Sequence, residues 1–255
     1  MRLPVGVVAC CLVQGDALQD LIHRATGGGG VAGELKNLIF ASNGPKPKLV
    51  LRDAIANTIT ITKNADTCLV YDRPLPEQGL TWTALVDWWA AETLHETNLH
   101  VAGHHLYKRL LQSLDNEPER TVLRTYAQRY GGPDGGATPA LLPQVYLHYD
   151  PYLRPDPDTD RRPDAVVRQR MDFLLLLPGR RRVVLEVDGR QHYATDDGAA
   201  STSRYARMVR EDRRLQLAGY DVYRFGGAEF NDPDGGQAML EHFFTRLLDD
   251  PPADL

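Results

Sequence analysis

The positions of apolar residues divide the chain into short helices and strands separated by glycine- and proline-rich breaks. In the first part, apolar residues alternate with polar ones or form short runs, which is typical of strands. Helical spacing then follows Thr81, a suitable N-cap for the segment that carries Trp82, Trp88 and Trp89. The strands predicted here are 5–13, 49–51, 59–62 and 68–71, and the helices are 16–25, the segment after Thr81, and 98–114.

The second part has a clearer order of elements. Asn116 is a good N-cap, Pro118 fits the first turn of a helix, and Glu119 completes a capping box. The turn Pro178-Gly179 joins two apolar strands as a hairpin, and Gly219 is a suitable C-cap. The predicted order is helix 116–129, strands 145–149, 169–177 and 182–187, helix 203–218, strand 221–225 and helix 236–248.

These elements predict an α/β protein in two parts. Residues 1–115 are expected to form an N-terminal α+β domain, and residues 116–255 a domain with a mixed central sheet flanked by helices. A chain of 255 residues can bury two small cores, which is consistent with this division.

Charge is unevenly distributed along the chain. The net charge is −5, but residues 161–225 contain 14 arginines and 9 acids and so carry +5, which leaves −10 on the remainder. One face of the second domain can therefore meet phosphates, although the chain as a whole cannot coat nucleic acid by bulk positive charge. Three cysteines without a CxxC pair fit a reducing cytoplasm, and no apolar run is long enough to span a membrane.

Three carboxylates occur at or near the ends of two apolar strands. Asp172 interrupts one strand, and Glu186 and Asp188 follow 14 and 16 residues later, where strand alternation puts them on the same face. A hairpin through Pro178-Gly179 brings Asp172 beside them. Because converging carboxylates repel one another unless a cation lies between them, this pattern favours an oxygen-rich site for Mg²⁺ or Mn²⁺.

Four motifs extend this picture and occur in order: Asp172-Phe173, then Glu186-Val187-Asp188-Gly189-Arg190-Gln191-His192, then Asp212-Arg213-Arg214, then Gly219-Tyr220-Asp221-Val222-Tyr223-Arg224-Phe225. Together they resemble the small nuclease family related to very-short-patch-repair endonucleases, within the PD-(D/E)xK, or restriction-endonuclease-like, superfamily. The resemblance covers residues 116–225, a little under half of the chain. It implies a restriction-endonuclease-like fold and hydrolysis of phosphodiester bonds in nucleic acid, with DNA as the expected substrate.

The resemblance also implies roles for individual residues. The motif acids bind metal together with a backbone carbonyl, a further acid precedes the sheet, and the residues just past the strand position water or a phosphate oxygen. The residues expected in the catalytic site are Glu119, Asp172, Glu186, Val187, Asp188, Gln191 and His192. The residues expected to contact the nucleic-acid backbone or to orient the site are Arg207, Arg210, Arg213 and Arg214.

One position departs from the superfamily pattern. The superfamily has a lysine two residues after the glutamate, where this chain has Asp188. The family that the chain resembles shows the same replacement, so an active enzyme is still implied, but a lysine general base is excluded. The hypothesis is that Asp188 completes the metal site and that a metal-bound hydroxide attacks, assisted by His192 or Gln191.

Other interpretations of these residues remain open. Glu119 is equally well explained as part of a capping box. The histidines 100, 104 and 105 lack an HExxH pattern, and the glycine run 27–33 is followed by Glu34 where a phosphate-binding loop needs lysine, so neither indicates a ligand site.

The first domain matches no characterised family. It is expected to sense a signal or to bind a protein partner, as in bacterial anti-phage defence effectors. The alternatives for the whole chain are a nucleic-acid-binding module that kept the fold and lost catalysis, a protein-interaction module, and a repair nickase. Very-short-patch-repair enzymes carry a zinc site, whereas this chain has no cysteine after Cys68. If the enzyme cleaves both strands of duplex DNA, a homodimer is expected.

Overall fold

The structure is a computed structural model that describes residues 38–45, 47–53, 58–76, 78–132, 135–146, 170–189 and 199–249. These residues form a mixed α/β fold, as the sequence predicted at that level. The predicted strand 5–13, the predicted helix 16–25 and the glycine run 27–33 lie outside the described residues, and so do Gln191 and His192.

The strands of the described residues follow the predicted order, except that the strand at Leu38–Phe40 was not predicted. They are β1 Leu38–Phe40, β2 Lys48–Asp53, β3 Thr58–Lys63, β4 Leu69–Tyr71, β5 Leu142–Tyr146, β6 Arg170–Leu176, β7 Arg182–Asp188 and β8 Tyr220–Gly226. Six of them form one open sheet in the order β4-β1-β5-β6-β7-β8, while β2 and β3 form a separate antiparallel hairpin. Neighbouring strands of the large sheet are antiparallel except β7 and β8, which are parallel.

Helices begin where the sequence offers N-caps. The described helices are α1 Trp82–Trp89, α2 Leu99–Leu111, α3 Glu117–Tyr130, α4 Thr202–Leu217 and α5 Pro233–Phe244. Thr81 Oγ1 accepts a hydrogen bond from Ala84 N–H at 3.3 Å, and Asn116 Oδ1 accepts one from Glu119 N–H at 2.9 Å, which confirms both predicted caps. Short π-helical segments, Ala90–Leu94 and Thr245–Asp249, extend α1 and α5. No described helix combines the length and the apolar character needed to cross a bilayer.

Two connections position the residues of interest. The hairpin between β6 and β7 turns at Pro178–Arg180, where Gly179 and Arg180 have left-handed φ values of 67° and 60°. Parallel strands need a long crossover, and α4 supplies it between β7 and β8. The carboxyl ends of β7 and β8 therefore meet at one edge, next to the packed side of α4.

The first strand of the second part differs from its prediction. It was expected at 145–149, but β5 begins three residues earlier, at Leu142. Proline is normally excluded from strand interiors. Here Pro143 pairs with Phe173 of β6, and its carbonyl accepts a hydrogen bond from Ala41 N–H at 2.9 Å.

One sheet and one core include residues from both sides of position 115. β1 and β4 join the same sheet as β5 to β8, with Ile39 paired to Tyr146. A continuous cluster of buried apolar side chains runs from Leu38 to Leu247. The boundary predicted between residues 115 and 116 thus passes through a shared sheet and core in the described part of the chain.

Candidate active site

Asp172 and Glu186 lie on the same face of the sheet, on neighbouring strands. The antiparallel register pairs Phe173 of β6 with Leu185 of β7 as the last pair of the ladder, and continuing that register by one residue sets Asp172 opposite Glu186. Residues directly opposite one another in such a pair have Cβ atoms about 4.5–5.5 Å apart. The two acids that the motifs single out are therefore side by side.

The Asp172 carboxylate is buried and bonded to β7. The residue is only 8% exposed, and its Oδ2 atom accepts a hydrogen bond from Val187 N–H at 2.9 Å. A buried carboxylate needs partners of this kind because desolvation of its charge is costly. The bond turns the Asp172 carboxylate toward the segment that contains Glu186 and Val187.

Glu186 sits in an environment that disfavours its charge. Burial raises the pKa of Glu186 well above its usual value, and the Asp172 carboxylate raises it further. The Arg224 guanidinium acts in the opposite direction, while Asp188 and Asp212 add smaller increases. Without a cation, the Glu186 carboxyl group thus keeps its proton to a higher pH than an exposed glutamate would.

Arg224 links β8 to the carboxylates of two other elements. Parallel pairing sets Arg224 beside Glu186. Its Nη1 atom donates to both oxygens of Asp188, at 2.8 and 3.0 Å, and its Nε atom donates to Asp212 of α4 at 2.8 and 2.9 Å. Burial alone would lower the pKa of Arg224, but the bonds with Asp212 and Asp188 outweigh burial and raise it above its usual value. The guanidinium is therefore a permanent charge.

Asp188 shares the face of Glu186 but has a partner that the sequence did not suggest. It is 7% exposed, and both of its carboxylate oxygens accept hydrogen bonds from Arg224. Its role as a third metal ligand stays a prediction. Over the described ranges, no group of three or more His, Cys, Asp or Glu side chains is arranged to hold a metal ion.

Glu119 reaches the same region from α3. The residue is 3% exposed, and its carboxylate accepts hydrogen bonds from Asn116 Nδ2 at 2.6 Å and from Gln144 Nε2 at 3.1 Å. Burial raises the pKa of Glu119, and the charge of Asp172 raises it further. Glu119 therefore takes part in the cap of α3 and also lies within electrostatic reach of Asp172, so the two interpretations of this residue are compatible.

Gln144 is a polar residue of this region that the sequence analysis missed. It lies on β5 between Pro143 and Val145, whose partners on β6 are Phe173 and Met171, so Gln144 is opposite Asp172. Its backbone has a φ of 51°, its side chain is fully buried, and Gln144 Oε1 has no hydrogen-bond partner within the described part of the chain. A polar residue inside an apolar strand was the available signal.

Three of the four α4 arginines that were expected to contact nucleic acid are exposed to solvent. Arg207, Arg210 and Arg213 are exposed, whereas Leu215 of the same helix is buried against the core. Arg214 is less exposed, and its Nε atom donates to Glu211 Oε1 at 2.7 Å. On the sheet-facing side of α4, Asp212 accepts hydrogen bonds from Arg224. Asp212 belongs to one of the motifs, but no role was predicted for it.

The oxygen donors on this face fit a hard divalent cation. Asp172 and Glu186 are adjacent carboxylates, and the pKa of Glu186 is raised by burial and by repulsion from Asp172, which a cation between the two groups would relieve. Mg²⁺ is commonly held by one or two carboxylates and retains several waters. Two carboxylates and the Val187 carbonyl are thus a sufficient protein contribution to such a site.

Comparison of the chain with protein-family models, with curated proteins and with solved structures gave no significant match.

Proposed function

We propose that the chain is a metal-dependent nuclease that hydrolyses phosphodiester bonds in nucleic acid, with DNA as the substrate. The single observation that supports this function most strongly is the proximity of Asp172 and Glu186, which lie one residue beyond the last β6–β7 pair and interact electrostatically. The restriction-endonuclease-like arrangement is part of the same proposal. It is supported by the hairpin β6–β7 followed by the crossover helix α4 and the parallel strand β8.

Asp172, Glu186 and the Val187 carbonyl would hold Mg²⁺ or Mn²⁺ in this proposal. When bound, the ion would polarise the scissile phosphate and lower the pKa of a coordinated water. Asp172 Oδ2 already accepts a hydrogen bond from Val187 N–H, which orients its carboxylate toward β7. Such supporting contacts keep ligands in position before the ion binds.

The neighbouring residues orient this pair and set its charge. Arg224 holds Asp188 and Asp212 through hydrogen bonds, and its positive charge beside Glu186 partly offsets the effect of burial on the Glu186 pKa. Because the Arg224 guanidinium stays protonated, it cannot serve as the general base in place of the absent motif lysine. Glu119 and Gln144 form a buried hydrogen-bonded pair beside Asp172 and would fix its surroundings.

Substrate would approach along α4. Arg207, Arg210 and Arg213 present exposed guanidinium groups on its outer side, and such groups bind phosphates without sequence preference. They would position the nucleic-acid backbone, while the carboxylate pair would act on one phosphodiester. His192 and Gln191 keep their proposed part in placing water or a phosphate oxygen.

A second candidate is a nucleic-acid-binding module on the same fold without catalysis. The observation that favours it is the bonding of both Asp188 oxygens to Arg224, because this occupies a carboxylate that the nuclease hypothesis assigned to the metal. This candidate predicts binding of nucleic acid at low salt without metal-dependent cleavage.

Cleavage assays with the purified chain separate the two candidates. Duplex DNA, single-stranded DNA and RNA would each be incubated with Mg²⁺, with Mn²⁺ or with a chelator. We expect metal-dependent cleavage that Asp172→Asn and Glu186→Gln reduce by about 100-fold or more. The matched control is Asp87→Asn, which removes an exposed carboxylate of α1 and should leave cleavage unchanged. Full activity of Glu186→Gln would refute the nuclease proposal.

The same assay addresses regulation. Residues before 116 would bind a signal or a partner that activates cleavage, in the manner of a defence effector. Cleavage by the chain alone should then be weak. Strong unaided cleavage of plasmid DNA would argue against a gated effector while leaving the nuclease proposal intact.

A further inference from the structure

A polar cavity lies at the opposite edge of the sheet from β8. It has a volume of about 390 Å³ and is lined by residues of β4, of α1 with its π-helical extension, and of α2. All of the lining residues fall between Asp66 and Arg109. They belong to the part of the chain before residue 116, in which no sequence motif indicated a function. This volume lies within the range of pockets that take small ligands.

Two residues that line the cavity each have one buried hydrogen-bond donor without a partner. In the part of the chain that the structure describes, Arg109 Nη1 and Trp89 Nε1 are covered from solvent and have no hydrogen-bond partner. Arg109 uses its other terminal nitrogen, Nη2, to donate to the Thr67 carbonyl at 2.8 Å. A buried donor without an acceptor is destabilising, and more so if it is charged. Arg109 and Trp89 therefore each lack one hydrogen-bond acceptor. An anionic acceptor would be the most favourable partner for the positively charged guanidinium of Arg109.

The mouth of the cavity has the opposite charge. Asp66, Asp72 and Glu92 line it and are exposed to solvent, and Glu92 is partly offset by Arg73, whose Nη2 lies 3.2 Å from Glu92 Oε1. These carboxylates would repel a polyanion such as a nucleotide triphosphate or an oligonucleotide. They would attract an ammonium group on a ligand whose acceptor end points inward.

We infer that this cavity binds a small zwitterion of the amino-acid or dipeptide class. Its carboxylate accepts hydrogen bonds from Arg109 and from the Trp89 indole, and its ammonium group faces Asp66, Asp72 and Glu92. Because both donor atoms are covered by the protein, binding requires Arg109 and Trp89 to change rotamer. The inference is independent of the nuclease proposal, since no lining residue belongs to the carboxylate site.

The ligand's two charged ends provide the first test. The full-length chain would be titrated with the common amino acids and with glycyl-L-leucine, up to about 10 mM, a range that detects weak binding. Binding would be followed by the rise in melting temperature and by tryptophan fluorescence. The dipeptide amide, which lacks the carboxylate, and the N-acetyl dipeptide, which lacks the ammonium group, should each bind about tenfold to a hundredfold more weakly.

Cys68 offers a direct report on the cavity because its thiol is buried in the lining. The test uses a chain with Cys10→Ser and Cys11→Ser. The rate of Cys68 alkylation should fall as the zwitterion fills the site, in proportion to the fraction of chains that remain without ligand. Inorganic phosphate serves as the probe for a site that takes any anion.

Three variants connect binding to the named donors. Arg109→Leu should remove binding, and Trp89→Phe should weaken it while keeping an aromatic ring in the wall. Lys108→Leu is the matched control, because it removes an exposed cation one residue from Arg109 on the same helix and should leave binding unchanged. Arg109→Lys keeps the charge without the planar fork and should bind more weakly than the unmodified chain.

Three results would overturn the inference. The first is that no member of the zwitterion series binds the unmodified chain. The second is that the amide and the N-acetyl forms bind as well as the free dipeptide. The third is that phosphate protects Cys68 more strongly than any zwitterion. These outcomes do not depend on whether the Arg109 variants fold, and none of them bears on cleavage of nucleic acid.

Discussion

One guanidinium nitrogen of Arg224 donates hydrogen bonds to both carboxylate oxygens of Asp188, at 2.8 and 3.0 Å. The remaining nitrogens of Arg224 donate to Asp212 of α4. These bonds join the ends of β7 and β8 to the crossover helix between them. Asp188, two residues after Glu186, is thus paired with a positive charge that comes from the adjacent strand.

Loss of Arg224 should destabilise the fold strongly. Arg224→Met leaves Asp188 and Asp212 without their shared partner, and their side chains are only 9% and 22% exposed. Removal of one partner from a buried ion pair costs about 3–5 kcal/mol. Urea unfolding followed by circular dichroism would measure the change in the free energy of unfolding.

A double-mutant cycle provides the control for that result. In the Arg224→Met and Asp188→Asn double variant, the uncompensated charge of Asp188 is gone, so part of the lost stability should return. Additive losses in the two single variants would mean that the two residues do not interact in solution.

The stability of the metal-free chain should depend on pH through Glu186. Burial and the Asp172 charge raise the pKa of Glu186 in the folded state above the usual value of about 4.5. Above that pH the unfolded chain releases a proton that the folded chain retains. The free energy of unfolding should therefore fall as the pH rises above about 4.5.

Glu186→Gln tests this assignment because glutamine cannot ionise. The variant should be more stable than the unmodified chain at neutral pH in a chelator, and its stability should fall less steeply with pH. Part of the slope should persist, since the pKa of Glu119 is raised in the same direction. A variant whose pH profile overlays that of the unmodified chain would show that Glu186 is not the titrating group.

Gln144 should tolerate glycine better than alanine. Its φ of 51° is strained for any residue with a Cβ atom, and both substitutions remove the same side-chain amide. Gln144→Ala should thus be less stable than Gln144→Gly by about 1 kcal/mol, the reverse of the usual order inside a strand. Thermal unfolding of the two variants measures the difference, and an alanine variant of equal or greater stability would contradict the left-handed backbone.

The same two variants should lose cleavage activity. Both remove the hydrogen bond from Gln144 Nε2 to Glu119, and loss of a supporting contact in a metal site typically lowers activity about 10- to 100-fold. Gln144→Gly at unchanged stability and reduced cleavage would assign the residue to the site. Unchanged cleavage in the glycine variant would restrict Gln144 to a structural role.

Phosphate contacts on α4 should appear in the salt dependence of binding. Arg210→Ala and Arg213→Ala should weaken binding of unrelated sequences alike, and each should reduce the slope of log affinity against log salt by about 1. The control is Arg180→Ala in the hairpin Pro178–Arg180, an exposed arginine at the opposite end of β7 from Glu186. An equal loss of slope in the control would place the nucleic acid elsewhere.

Local patterns predicted most of the described elements but not how the two parts of the chain join. Caps such as Thr81 and Asn116 and the turn at Gly179 depend on neighbouring residues, so the sequence specifies them directly. The pairing of Ile39 with Tyr146 joins strands that are far apart in sequence. Hydrophobic periodicity contains no information about such partners, and the domain division proposed from it separates strands of one sheet.

Strand alternation and hairpin geometry predicted the relative positions of two residues of the candidate site. These two rules place Asp172 and Glu186 on one face, and the register of β6 and β7 agrees with them. The hydrogen bonds of Arg224 could not be inferred in this way, because they depend on the parallel register of β8 and on the rotation of α4. Gln144 was missed because the predicted strand began at Val145, one residue after it, whereas β5 begins at Leu142.

The most direct test of the account is a crystal structure with Mn²⁺, with data collected to reveal anomalous scattering from the ion. We predict one anomalous peak between the carboxylates of Asp172 and Glu186, at about 2.0–2.3 Å from one oxygen of each, that disappears in Glu186→Gln. Well-ordered Asp172 and Glu186 side chains with no anomalous peak between them, in crystals of a chain that still cleaves DNA, would contradict the proposed site.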